Sequence, residues 1–158
     1  MRQQRLAIIG FGKLGRACAE TILTDEQLAL AGIVRRAERV MEPLPAPLQN
    51  IPSVSHIAEL DQVDAALICV PAEDVLGKAQ ELIQHGVPIV ECASLHDAAF
   101  QHHKQEIDRL ASRRKVAAIV GAGWDPGALS LLRALFMLLT PIQALWGKLR
   151  EHAEQEAL

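Results

Sequence analysis

The chain has 158 residues, half of them hydrophobic, which suffices for one domain with its own core and is too short for two of ordinary size. Sixteen Lys and Arg against 19 Asp and Glu leave a net charge of -3, a balance that excludes both a disordered polyelectrolyte and a basic nucleic-acid binder. Aromatic residues are 3% of the chain with no tyrosine, which leaves little material for base-stacking surfaces.

The opening MRQQRLAIIGFG holds too short an apolar run for a signal peptide or a membrane span, so a cytoplasmic address and no membrane partner are expected. Residues 6–9 form a first strand, and residues 12–24 a helix with Leu14, Ala17, Cys18 and Ile22 on one face. Residues 28–34 form a second strand. The segment MEPLPAPLQNIP that follows carries four prolines, which remove backbone donors and keep it a loop. A short strand near Val54 and a short helix over 58–60 come next. Residues 65–70 are a buried strand ended by Pro71. Val75, Leu76, Ala79, Leu82 and Ile83 then mark a helix over 72–85, stopped by Gly86. A strand over 87–92, a helix capped by Asp97 and running to about residue 113, and a strand over 116–120 complete the series. The third helix carries Phe100, Ile107, Leu110 and Ala111 on its apolar side. Strands without polar alternation, separated by helices, make a doubly wound parallel α/β sheet, the Rossmann arrangement. It is expected over residues 1–140, including a helix over 128–139 that is apolar nearly all round. Residues 141–158 add an amphipathic helix bearing Leu145, Trp146 and Leu149.

The first strand runs into Gly10, Phe11, Gly12, Lys13, Leu14 and Gly15, a G-x-G-x-x-G between strand and helix. Gly10 permits the turn, Gly12 lets a pyrophosphate approach the backbone, and Gly15 lets helix and strand pack closely. The helix N-terminus supplies free N–H groups for the phosphates, and Lys13 either adds charge beside them or is simply solvated. Twenty positions after Gly15, where NAD binders place a carboxylate for the ribose 2′-OH, stand Arg35 and Arg36. A guanidinium grips a 2′-phosphate where a carboxylate repels it, so NADP is the expected cofactor. The alternative is a solvated Arg-Arg-Ala-Glu-Arg run. Cys69, Val70 and Pro71, with Ser94, fall at the carboxyl edge of the sheet, where ligands of open α/β folds bind.

Three cysteines without CxxC spacing, Cys18, Cys69 and Cys92, read as reduced core residues, with a reactive thiol as the alternative. His96, Asp97, His102 and His103 match no compact ligand motif and read as solvated, so no metal is expected. Ser130 stands in no G-x-S-x-G elbow. In GAGWDPG, Asp125 can cap the next helix with Pro126 at its first position, and capping leaves Trp124 unexplained. An indole at the mouth of the crevice would wall a substrate or nicotinamide and offer a fixed N–H donor.

AIIGFGKLGRA, IVRR, CVPAEDV, VECASLH and above all GAGWDPGALSLLRAL, in this order over residues 6 to about 135, resemble the N-terminal half of the meso-diaminopimelate dehydrogenase family. The resemblance implies an NADP-dependent oxidoreductase whose cofactor is lined by residues 11–14, Arg35, Arg36, Cys69, Val70, Pro71 and the Trp124-Asp125 turn. Trp124 and Asp125 would also border a D-configured amino-acid centre. The implied reaction takes hydride from an amine-bearing carbon, and water converts the imine to a keto acid and ammonia. Where two family aspartates meet the substrate, this chain has Glu91, which keeps the charge at greater reach, and Ser94, which loses it. Asp125, Trp124 and Glu91 are therefore the candidate catalytic residues.

The family chain continues into a substrate-binding and dimerising domain. This sequence is thus either a fragment or a minimal cofactor domain, and self-association or a partner supplying the missing half is expected. Two other readings stand beside the dehydrogenase: a non-catalytic NADP-binding regulatory module, and an imine or sugar dehydrogenase sharing the same half.

Overall fold

The computed structural model of the chain describes residues 2–95 and 97–123, with Leu132 and Leu135 as two further helical positions. It divides into two compact units, Met1–Ala122 and Gly123–Leu158. In the second unit Leu132 and Leu135 are exposed. The rest of the expected helix over 128–139, and all of that over 141–158, lie outside the described residues.

In the first unit, runs of Ala, Ile, Leu and Val give six strands: β1 (Gln4–Ile9), β2 (Leu28–Val34), β3 (Ser53–Val54), β4 (Ala65–Ile68), β5 (Ile89–Glu91) and β6 (Ala118–Ile119). All are parallel, in the order β3-β2-β1-β4-β5-β6. Three helices connect them: α1 (Lys13–Thr24), α2 (Ala72–Gln84) and α3 (Asp97–Arg114). Successive side chains of a strand point to opposite faces, so β1 feeds two cores at once. Ala7 and Ile9 join Ile68, Val75, Ala79, Leu82 and Ile107 on the face covered by α2 and α3. Ile8 joins Ala19, Ile22 and Ile33 on the face covered by α1. Burial on both faces is what removes polar alternation from the strands.

The elements expected before residue 121 are all present, and β3 and β6 are only two residues long. The short helix after β3 is a 3-10 turn over Ile57–Glu59. Its capping box joins the His56 side chain to the Ala58 N–H at 3.1 Å and the Glu59 carboxylate to the His56 N–H at 2.7 Å. No α-helix links β2 to β3. The proline-rich segment lies on the α1 face and places Leu44 and Leu48 in that core, Leu48 fully buried. Among the described residues no helix is long and apolar enough to cross a membrane.

Candidate functional site

The order of the strands reverses between β1 and β4, and the chain ends leaving these two strands diverge to open a crevice. The turn after β1 is made by Gly10, whose φ of +93° is open to glycine. A Cβ there would stand 2.8 Å from the Cys69 carbonyl oxygen, so the turn backs directly onto the end of β4. Gly15 is buried on α1, and a Cβ on it would strike the Gly10 carbonyl oxygen. Gly12 behaves differently. A Cβ on it would meet no protein atom within 4 Å, so its backbone faces open space. Gly12 also caps α1 with no side-chain hydrogen bond, and no acidic residue occupies the first turn. The first N–H groups of α1 thus have neither a capping side chain nor a local carboxylate, which suits an anion.

The crevice has a volume of about 930 Å³, and its lining includes Gly10, Phe11, Gly12, Arg35, Arg36, Cys69, Val70 and Pro71. Eight sequence-derived candidates thus meet in one place. Gly15 serves packing instead, Leu14 is exposed at 49%, and Lys13 and Ser94 are exposed away from the lining. Trp124 and Asp125 lie outside the described residues.

The two arginines are not equivalent. The Arg35 side chain is 8% exposed, donates to the Glu42 carbonyl oxygen at 2.9 Å and pairs with the Glu42 carboxylate at 3.1 Å. Its guanidinium carbon lies 5.6 Å from the centroid of the Phe11 ring, a cation–π distance. Arg35 is therefore a fixed wall. Arg36 is exposed with no side-chain partner among the described residues, and Arg39, three residues on, has only a 3.5 Å pairing to Glu42. Both line the crevice, and both can swing to an anion.

Opposite them, α2 presents Asp74, Gly77, Lys78 and Glu81 at helical spacing, the face away from Val75, Ala79, Leu82 and Ile83. Lys78 and Glu81 pair at 2.8 Å, and His56 Nε2 reaches Glu81 at 3.3 Å. This wall was legible in the 74, 77, 78, 81 periodicity, but nothing in the sequence says that α2 leans over the crevice.

Glu91 is not an open carboxylate in the crevice. It is 1% exposed, and its oxygens accept the Ala93 N–H at 2.6 Å and the Gly121 N–H at 2.9 Å. Its carbonyl accepts the Ala122 N–H at 2.8 Å. His103 Nε2 approaches the same carboxylate at 3.3 Å; an acceptor-only carboxylate makes the ring nitrogen the donor. The expectation that His103 is solvated is corrected here: it is 5% exposed on α3, whereas His102 is exposed. The signal was its spacing, since Phe100, His103, Ile107 and Ala111 form one helical stripe. The cysteines, expected to be buried, are only half-buried, with Cys18 and Cys69 packed against the α1-side core.

Residues 4–116 match the model of an oxidoreductase family with an NAD-binding Rossmann fold. The chain is 33% identical over 141 residues to the meso-diaminopimelate D-dehydrogenase of Bacteroides fragilis, covering 89% of this chain and 46% of that one. Among solved structures it is similar to C. glutamicum DAP dehydrogenase in complex with DAP, with a TM-score of 0.69 and 28% identity over 88% of this chain and 42% of that one. An engineered D-amino acid dehydrogenase bound to NADP+ gives a TM-score of 0.64 and 26% identity over 87% and 41%. The chain thus spans less than half the length of the curated relatives it matches. With the glycine turn, the strand reversal and the family match all falling on the same residues, the chain belongs to the oxidoreductase family with an NAD-binding Rossmann fold.

Proposed function

We propose that the chain is the NADP-binding part of a dehydrogenase of the meso-diaminopimelate type, which oxidatively deaminates a D-configured amino-acid centre to a keto acid and ammonia. The observation that carries the cofactor reading is the end of β2, where Arg36 and Arg39 stand unpaired or weakly paired beside a Gly12 backbone open to the crevice. A 2′-phosphate brings two negative charges to that corner, and two exposed guanidinium groups beside the fixed Arg35 fit it. Bound NADP+ would supply the hydride acceptor. The α1 N-terminus would hold the diphosphate, Phe11 and Arg35 would flank the adenine end, and Val70 and Pro71 would bound the path toward the nicotinamide. Trp124 and Asp125 would border the substrate carbon, with Asp125 holding the ammonium group. Glu91 would act through the two chain segments it ties together, the exits of β5 and β6, rather than by touching substrate. The similarity to a D-amino acid dehydrogenase and to DAP dehydrogenases supports the substrate class.

The test is calorimetric titration of the chain with NADP and NAD, repeated with Arg36→Ala and Arg39→Ala combined. The expected result is an NADP preference that the double variant reduces about tenfold to a hundredfold, the scale of one or two charge-assisted contacts. An NADP preference unchanged in the variant, or no binding of either nucleotide, defeats the cofactor reading. Hydride transfer to NADP+ from D-configured amino acids, absorbing at the reduced nicotinamide band, tests the substrate class.

A further inference from the structure

Three thiols converge beside the glycine turn. Cys69 is the first residue past β4 and Cys92 the first past β5, and Ile68 pairs with Glu91 in parallel register, so the two cysteines are the next pair along these strands. Residues in register point to the same face. That face is the α1 side, where Cys69 and Cys18 pack against the same apolar cluster. The Cys92 thiol donates to the Ile68 carbonyl oxygen at 3.6 Å, which draws it back over β4. The Cys18 and Cys92 thiols are both close enough to Cys69 to disfavour its thiolate. All three are half-buried rather than sealed, and Cys69 lines the crevice. Neighbouring strands lie about 4.8 Å apart, within the range of roughly 4.4 to 6.8 Å between Cα atoms that a disulfide spans.

We propose that Cys69, on the crevice wall, and Cys92 beside it are an oxidisable dithiol, closed to a disulfide by oxidants of the hydroperoxide class. One thiolate attacks the peroxide oxygen, the O–O bond breaks, and a sulfenic acid and an alcohol or water result. The second sulfur then attacks the sulfenic sulfur, the S–O bond breaks and water leaves as the S–S bond forms. Two electrons pass from the two thiols to one peroxide. Cys69 lies beside two other thiols and Glu91 lies beside Cys92, so thiolate is scarce at neutral pH: burial, then the neighbouring thiols, push Cys69 up to about 12, and burial, then Glu91, raise Cys92. The bridge accordingly forms slowly at neutral pH and faster as pH rises. It ties the ends of β4 and β5 together where Cys69 faces the crevice.

The experiment treats the reduced chain with hydrogen peroxide at neutral and mildly alkaline pH, alkylates the remaining thiols, and maps cross-linked peptides by mass spectrometry without reduction. The expected product links the peptides of Cys69 and Cys92, leaves Cys18 alkylated, forms about tenfold faster per pH unit, and disappears with dithiothreitol. Cys92→Ser, checked for an unchanged melting curve, should leave Cys69 unbridged. A bridge from Cys69 to Cys18, cross-links only between chains, or full alkylation of Cys69 and Cys92 after oxidant would each overturn the proposal. None of these outcomes bears on nucleotide binding, which the titration above reads separately.

Discussion

Replacing Glu91 by alanine leaves the N–H groups of Ala93 and Gly121 without their carboxylate acceptor, and His103 without its partner. Losing charge-assisted bonds at a buried site costs on the order of 3 kcal/mol. Urea unfolding of Glu91→Ala should therefore show a lower midpoint at unchanged slope, and a loss below about 0.5 kcal/mol would mean the clamp contributes nothing. Glu91→Gln keeps one acceptor oxygen and should lose less. Cys69 yields a prediction of opposite character. Burial, reinforced by Cys18 and Cys92, raises its thiol from 9.0 to about 12, so between these values the native chain holds a proton that the unfolded chain has released. Its contribution is complete below the unfolded value and is lost as pH rises toward the folded one. Cys69→Ala should flatten the decline in stability across that alkaline window, measured as denaturation midpoint against pH. An identical slope in the variant would show the thiol titrates alike in both states.

At the level of elements, α1 can dock on β1 only through Gly15, because any Cβ there meets the backbone oxygen of Gly10. Gly15→Ala must shift the helix or the turn, at a cost of about 1–3 kcal/mol, and should weaken nucleotide binding along with stability. Leu48→Ala tests the loop that replaces a β2-to-β3 helix. Full burial of Leu48 predicts a loss of about 2–5 kcal/mol on urea unfolding, where a true surface loop would lose almost nothing. These two elements also show what the sequence discloses. The glycine turn, β4 and α2 were legible because period and punctuation agree locally. The loop was read correctly as irregular, yet its buried leucines were not, since four prolines announce the absence of regular structure and are silent about packing. His103 failed for a similar reason: the residue type suggested water while the helical spacing pointed inward.

Across the whole molecule, the parallel-sheet rule is what made the crevice legible, because it sends the ends of β1, β2 and β4 to one edge whatever their separation in sequence. The lean of α2 and the engagement of Glu91 are tertiary facts with no local signature, and Trp124 and Asp125 lie outside the described residues. The chain carries a net charge of -3 while its arginines 35, 36 and 39 gather at one corner. If a 2′-phosphate is held there, raising salt from about 0.05 to about 0.5 M should weaken NADP several-fold and NAD much less, since screening acts on the extra charge. Equal weakening in parallel titrations would place the attraction elsewhere. The missing helix between β2 and β3 then bears on evolution. On the proposed reading, affinity at the diphosphate end would rest on main-chain geometry, with Gly10 and Gly15 required by the fold itself. At the β2 end it would rest on exposed side chains over a loop, so cofactor preference would drift there by point substitution while the scaffold stays untouched.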